Sequence, residues 1–281
     1  MNSPPNRSSF IVPRSSFPRV MAILNITPDS FSDGGVHFDH AKAVHAALQM
    51  EADGAAIVDI GGQSTRPGAE SVSADEEMGR VIPVIEQIRK RSAVPISIDT
   101  MKATVAERAL AAGADMINDV SALRADPAMA PLAARSGVPV ILMHMRGEPR
   151  TMQKNIHYDE VVSDVGRELT KFRDDAVAAG IDRAQILVDP GIGFGKTFEH
   201  NLELLARAGE LQSIAPLVIG ASRKAFIGHI TGRSAGPHRM VGSLAAIAAA
   251  HRAGATLVRV HDVRETVDFL KVLIAIAERE K

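Results

Sequence analysis

Three acceptor side chains, Asp99, Asn118 and Asp189, each follow a short apolar run, and four donors, Arg66, Lys224, Arg259 and His261, lie in segments that follow other such runs. Two carboxylates and an amide suit a neutral or cationic heterocycle rich in N–H groups, such as a guanidine-like edge. Guanidinium, ammonium and imidazole donors suit a phosphate or a carboxylate. Acceptors at one end and cations at the other describe a site for a polar heterocycle linked to an anionic group. A plainer reading stands beside this one, because Asp or Asn after a strand is often only the N-cap of the next helix. Capping explains Asp189 poorly, since Pro190 and Gly191 follow it. Asp99 precedes Thr100, which is able to cap in its place. His144, at another run's end, reads as a satisfied structural histidine. Phe31 and Phe194 lie in polar, Gly-rich loops, where an apolar ring can cover a flat substrate.

Several chemistries drop out. The segment PGIGFGKT looks like a phosphate-binding loop, but the first glycine of that pattern falls at Pro190. The third glycine of a dinucleotide fingerprint falls at Lys196. The zinc-hydrolase spacing H-E-x-x-H does not occur. With 0 Cys there are no disulfides, thiolate nucleophiles or Cys-held metals. That suits a reducing cytosol, and a cytoplasmic location is expected. Lys+Arg total 32 and Asp+Glu 33 in 281 residues, a net charge of −1, so no bulk basic field attracts nucleic acid or an anionic membrane. No apolar run approaches the ~20 residues of a membrane span.

The elements that must position these groups follow from a recurring pattern. Eight apolar runs, at 20–24, 55–60, 95–98, 115–117, 138–143, 186–188, 217–219 and 256–260, alternate with stretches of helical spacing. The runs are continuous and not alternating, as in parallel strands buried on both faces. Eight such units predict a single (β/α)8 TIM barrel over 20–281, with a doubly wound sheet as the alternative. Residues 1–19, rich in Pro, Ser and Arg and lacking acids, read as a flexible N-terminal arm, or as a targeting segment. Ser73 with Glu76 predicts a helix start, with a kink or later start at Pro83. Asp126 and Pro127 predict another start. Barrel sites form where strands end, so Asn25, Asp59, Asp99, Asn118, His144, Asp189, Ser222, Lys224, Arg259 and His261 should share one rim. The loops at 25–35 and 61–70, rich in Gly, Ser and Pro, are expected to move and close over ligand.

The segments NITPDSFSDGG, DIGGQSTRPGAE, ISIDT, MINDVSAL, LVDPGIGFGK, GASRKAFIG and RVHDV resemble, in that order, the motifs of the dihydropteroate synthase family, from residue 20 to the C-terminus. The resemblance implies a Mg2+-dependent condensation of 7,8-dihydropterin-6-ylmethyl diphosphate with p-aminobenzoate, a step of folate synthesis and a sulfonamide target. It implies that Asp99, Asn118, Asp189 and Lys224 bind the pterin. Asn25, Arg259 and His261 become diphosphate anchors, with Asn25 also near the metal. Thr65, Arg66, Pro67, Ser222 and Lys224 fall on the p-aminobenzoate side, with Phe31 and Phe194 nearby and Thr65 also reaching the diphosphate substrate. A homodimer is implied too. The family often carries Glu where this chain has Gln63. Charge growing on a departing diphosphate calls for donors around it, and the electron-rich pterin can share the positive charge left behind. A dissociative path with no covalent enzyme intermediate is therefore expected. A pterin-dependent methyltransferase and a catalytically silent paralogue remain the alternatives.

Overall fold

The computed structural model describes residues 17–27, 40–66 and 68–279. Among them, strands and helices alternate: β1 Arg19–Asn25, α1 His40–Ala52, β2 Ile57–Gly61, α2 Ala74–Arg89, β3 Ile96–Asp99, α3 Ala103–Ala112, β4 Met116–Asp119, α4 Met129–Ser136, β5 Val140–Met143, α5 Val161–Ala178, β6 Ile186–Asp189, α6 Phe198–Arg207, β7 Val218–Ile219, α7 Ala225–Thr231, α8 Met240–Arg252, β8 Leu257–Val260 and α9 Val263–Ala277. All eight expected runs are strands. They pair in the order β6-β5-β4-β3-β2-β1-β8-β7, every neighbour parallel. An isolated parallel bridge between Val188 and Leu217 closes β6 onto β7 and completes the barrel.

Strand alternation sorts each run into two layers. One set, including Val58, Ile60, Ile96, Ile98, Ile117, Val140 and Val188, packs outward against the helices. The other set turns into the barrel. Its lower tier, Met21, Ile57, Met116, Ile141, Leu187, Val218 and Leu257, forms a separate apolar cluster. Two residues further along the same strands the interior becomes polar: Asp59 follows Ile57, Asn118 follows Met116, Asp189 follows Leu187 and Arg259 follows Leu257. The fold thus lays a charged tier on an apolar floor. Each buried floor side chain contributes about 1.5–3 kcal/mol, which offsets the several kcal/mol that burying each ion costs.

Four local details differ from expectation. Helix α2 starts at once after Ser73, whose hydroxyl accepts from Glu76 N at 3.1 Å, and runs through Pro83 without a later start. Helix α4 begins at Met129, not at Pro127. Asp126 instead accepts from Ala128 N at 2.9 Å and from Ala103 N at 2.8 Å, serving the starts of both α4 and α3. Two helices, α7 and α8, separate β7 from β8. At the end of the N-terminal arm, Phe17 stacks on His251 of α8 with ring centroids 4.6 Å apart, and Arg19 already belongs to β1.

Candidate active site

The charged tier is organised around Arg259. From β8 its guanidinium donates Nε to Asp59 Oδ2 of β2 at 2.6 Å and an Nη to Asp99 Oδ2 of β3 at 2.6 Å. Asp59 Oδ2 also accepts from Asn118 Nδ2 of β4 at 3.1 Å, so four strands meet through one guanidinium, one amide and two carboxylates. Burial pushes the Asp99 carboxyl up to about 7, with Arg259 pulling it down and Asp59 pushing it further up. Asp59 Oδ1 and the neighbouring Ser97 Oγ are buried with no protein partner.

Asp189, the last residue of β6, is also raised by burial, against a hydrogen bond from Gly191 N at 2.7 Å. Its other oxygen faces Gly220, where a Cβ would lie 3.6 Å from Oδ2 and 3.9 Å from the Arg259 Cβ. Lys224 projects from the N-terminus of α7 and holds its ammonium 4.0 Å above the centre of the Phe194 ring. Burial lowers its pKa to about 8, helped by Arg259 and Arg66 and opposed by Asp189 and Asp99. Those four groups are thus its electrostatic surroundings. Phe194 packs with Val120, Met143, Met145 and Met152, an apolar wall beside the charged tier.

After β8, His261 pairs with Ser222: the His261 backbone N–H donates to Ser222 Oγ at 3.2 Å, and Oγ lies 3.0 Å from Nδ1. In the tautomer in which the Ser222 hydroxyl donates to Nδ1, Nε2 carries the ring proton and is able to donate to an anion. Burial lowers the His261 pKa to about 3, aided by the Arg223 and Arg259 charges. Arg223 itself sits at φ 58° and is tied to Asp262, its own amide held by Ser243 Oγ at 2.9 Å.

The first two loops supply less. Asn25 ends β1 opposite Gly61. Arg66 is exposed, and Thr65 is half-buried beside it. Phe31 and Pro67 lie outside the described residues, as does most of the 25–35 loop. Gln63 Oε1 accepts from Lys102 Nζ at 2.5 Å and from Val72 N at 3.3 Å, closing the second loop at its base. Lys102 also reaches Glu77 at 2.5 Å, so the ammonium already has its carboxylate and Gln63 adds a neutral acceptor.

The structure thus brings together Asp99, Asn118, Asp189, Lys224 and Arg259, with His261 and Ser222 as an adjoining pair. Asp59, expected at the rim as a strand end, has no ligand-binding role in the sequence pattern, yet it is the second carboxylate on Arg259. The available signal was a carboxylate within an otherwise apolar run, where nothing but a counter-ion makes burial tolerable. Lys196 was also passed over. It is 3% exposed and takes part in no surface.

The description "pterin binding enzyme" belongs to the family whose profile matches residues 21–261. The dihydropteroate synthase of Escherichia coli is 48% identical over 263 residues, covering 92% of each chain. The crystal structure of Xanthomonas albilineans dihydropteroate synthase with 4-aminobenzoic acid superposes with a TM-score of 0.88 at 48% identity, covering 93% of both chains. The same enzyme in complex with 7,8-dihydropteroate gives 0.84 at 46%, covering 93% and 94%. With a barrel, a carboxylate-and-cation mouth and matches of this extent, the chain belongs to the pterin-binding enzyme family, among its dihydropteroate synthases.

Proposed function

We infer that the chain condenses 7,8-dihydropterin-6-ylmethyl diphosphate with p-aminobenzoate, releasing diphosphate and forming 7,8-dihydropteroate. The observation that carries this reading is one mouth in which Asp99, Asn118 and Asp189 meet Lys224 and Arg259 above an apolar floor. Asp99, Asn118 and Asp189 accept from the N–H edge of the pterin, and Lys224 donates to its acceptor side from above Phe194. Arg259, His261 and Asn25 face the diphosphate. For this Arg259 swings from Asp59 and Asp99; the pterin donors take up the Asp99 carboxylate, and Asp59 keeps the hydrogen bond from Asn118. The arrival of Arg259 on the leaving group is thereby coupled to occupation of the pterin site. The neutral His261 donates from Nε2 to the same oxygens.

The C–O bond breaks as charge gathers on the diphosphate, and the buried carboxylates stabilise the positive charge spread over the pterin ring. The arylamine then attacks a strong electrophile and needs little help from a base. Thr65, Arg66, Pro67, Ser222, Lys224, Phe31 and Phe194 are assigned to the amine side, Thr65 also reaching the diphosphate substrate. Among the described residues no group of three His, Cys, Asp or Glu side chains could hold a metal. Asn25 offers a single neutral oxygen, a donor set that suits Mg2+ arriving on the diphosphate with phosphate and water ligands. Such an ion would supply charge neutralisation of the leaving group. A homodimer is proposed through the exposed apolar residues Ile230 of α7, Val241 of α8 and Val272 and Ile276 of α9, which sedimentation of the Val241→Asp variant as a monomer would support and an unchanged mass would refute.

The deciding experiment measures diphosphate release with both substrates, with and without Mg2+, and identifies the conjugate by mass. Release that depends on p-aminobenzoate and yields dihydropteroate is expected. Methyl transfer or binding without turnover would overturn the assignment in favour of the two alternatives.

A further inference from the structure

The loop that carries Phe194 is held from beneath by a charge that the reaction scheme leaves unused. Lys196 is wholly buried, and its ammonium lies 3.0 Å from Phe194 O, 3.1 Å from His144 Nδ1 and 3.4 Å from His144 O. An ammonium has three N–H donors, and each has a partner here. His144 is 0% exposed and passes the anchor on, its Nε2 lying 3.0 Å from Glu168 Oε2 of α5. Accepting at Nδ1 fixes the proton on Nε2, and Glu168 is itself gripped by Arg146 at 2.9 Å. Burial lowers the Lys196 ammonium to about 7, with Asp189 and Glu168 favouring its protonation and Lys224 and Arg146 opposing it. There is no slack beneath the loop: at Gly191, φ 67°, a Cβ would lie 2.0 Å from His144 O. Gln153 Nε2 and the Tyr158 hydroxyl bind the carbonyls of Gly193 and Gly195. For the Phe194 carbonyl, Lys196 is the donor seen.

We propose that Lys196 is a positioning residue of the active site: its ammonium, braced by His144 and Glu168, holds the Phe194 carbonyl and so sets the Phe194 ring under the Lys224 ammonium. A ring that drifts takes with it the apolar face on which Lys224 rests and the wall against which the flat amine would stack. This inference rests on the reaction assigned above. It explains why a lysine, among the side chains least often buried, lies beneath a catalytic mouth that is already rich in cations.

The test is a double-substitution cycle on the full chain, read as kcat/KM for p-aminobenzoate. Lys196→Met is expected to lower it about 10-fold or more, the scale of one lost charge-assisted contact. In a Phe194→Ala background the same change is expected to cost less than about 3-fold, since the group being positioned has gone. Lys196→Gln, whose amide keeps two donors, is expected to recover part of the loss. Equal losses in both backgrounds would show a general structural role and overturn the proposal, as would full activity in Lys196→Met. If Lys196→Met does not fold, Lys196→Ala takes its place in the cycle under the same criteria. An unaltered protein that makes no dihydropteroate would remove the assigned reaction and this proposal with it, whereas an active protein with an additive cycle would remove the proposal alone.

Discussion

Replacing Asp99 by Asn separates what the mouth contributes to binding from what it costs the fold. The carboxylate is 7% exposed, accepts from Arg259 at 2.6 Å and is pushed up by burial to about 7. A hydrogen bond to a charged acceptor is worth about 1.5–3 kcal/mol and a neutral one about 0.5–1.5 kcal/mol. The exchange therefore costs pterin binding about 1–2 kcal/mol, or roughly 5- to 30-fold in Kd. Folding responds in the other direction. The carboxyl ionises near 3.8 when unfolded and near 7 when folded, so the native protein gives up stability as pH rises between those values. Asn gives up none. Arg259 loses one partner but keeps Asp59 at 2.6 Å, so its charge stays compensated. Asp99→Asn is thus expected to melt at or above the wild-type temperature at pH 8, with the difference shrinking towards pH 5, while binding the dihydropterin diphosphate more weakly. Calorimetric titration at pH 8 with parallel thermal melts checks both arms. Pterin affinity within about 2-fold of wild type, or a melting temperature that falls along with affinity, would refute the reasoning.

Arg259→Ala strands Asp59 and Asp99 as buried carboxylates, so stability should fall by about 3–5 kcal/mol in denaturant titrations. In the protein that remains folded, turnover should suffer far more than the KM for p-aminobenzoate; the opposite pattern contradicts a role at the diphosphate. His261, with its pKa lowered to about 3 by burial and then by the Arg223 and Arg259 charges, should stay neutral from pH 5 to 8 in the ligand-free protein. Imidazole NMR shifts that move with a midpoint near the ordinary histidine value would show otherwise. Gln63→Leu removes the acceptor for Lys102 and for Val72 N; the KM for p-aminobenzoate should rise about 5-fold with kcat little changed, and the Val72 amide should exchange faster. Unchanged exchange there would count against Gln63 as the tie of the second loop.

The strands were legible because burial on both faces leaves each run predominantly apolar, and most runs stop where the barrel opens to its mouth. Asp99, Asn118 and Asp189 stood out for that reason, as the first polar groups after apolar segments. Asp59 did not, because it lies inside such a run with Ile60 after it, and the partner that justifies it is Arg259, 200 residues away. Lys196 was hidden by its own type: a lysine in a Gly-rich loop reads as solvent-exposed, and only coordinates reveal the three acceptors around it. Asp126 was seen as one cap but serves two helices, since α3 and α4 meet through space and not in sequence. Gln63 was noted as a lost charge; the structure shows Lys102 already neutralised by Glu77, so a neutral acceptor is what that ammonium still lacked.

The apolar floor beneath the charged tier gives the molecule a division of labour along its axis. Side chains such as Leu187 and Leu257 hold the ring together, while those two residues further on in the same strands, Asp189 and Arg259, draw on the cohesion so supplied. Substitutions that trade one polar contact for another at the open end can therefore be compensated by better filling below, with no change to the shape that ligands meet. Adaptation at the rim and repair at the base become independent tasks for a lineage, carried on the same eight strands.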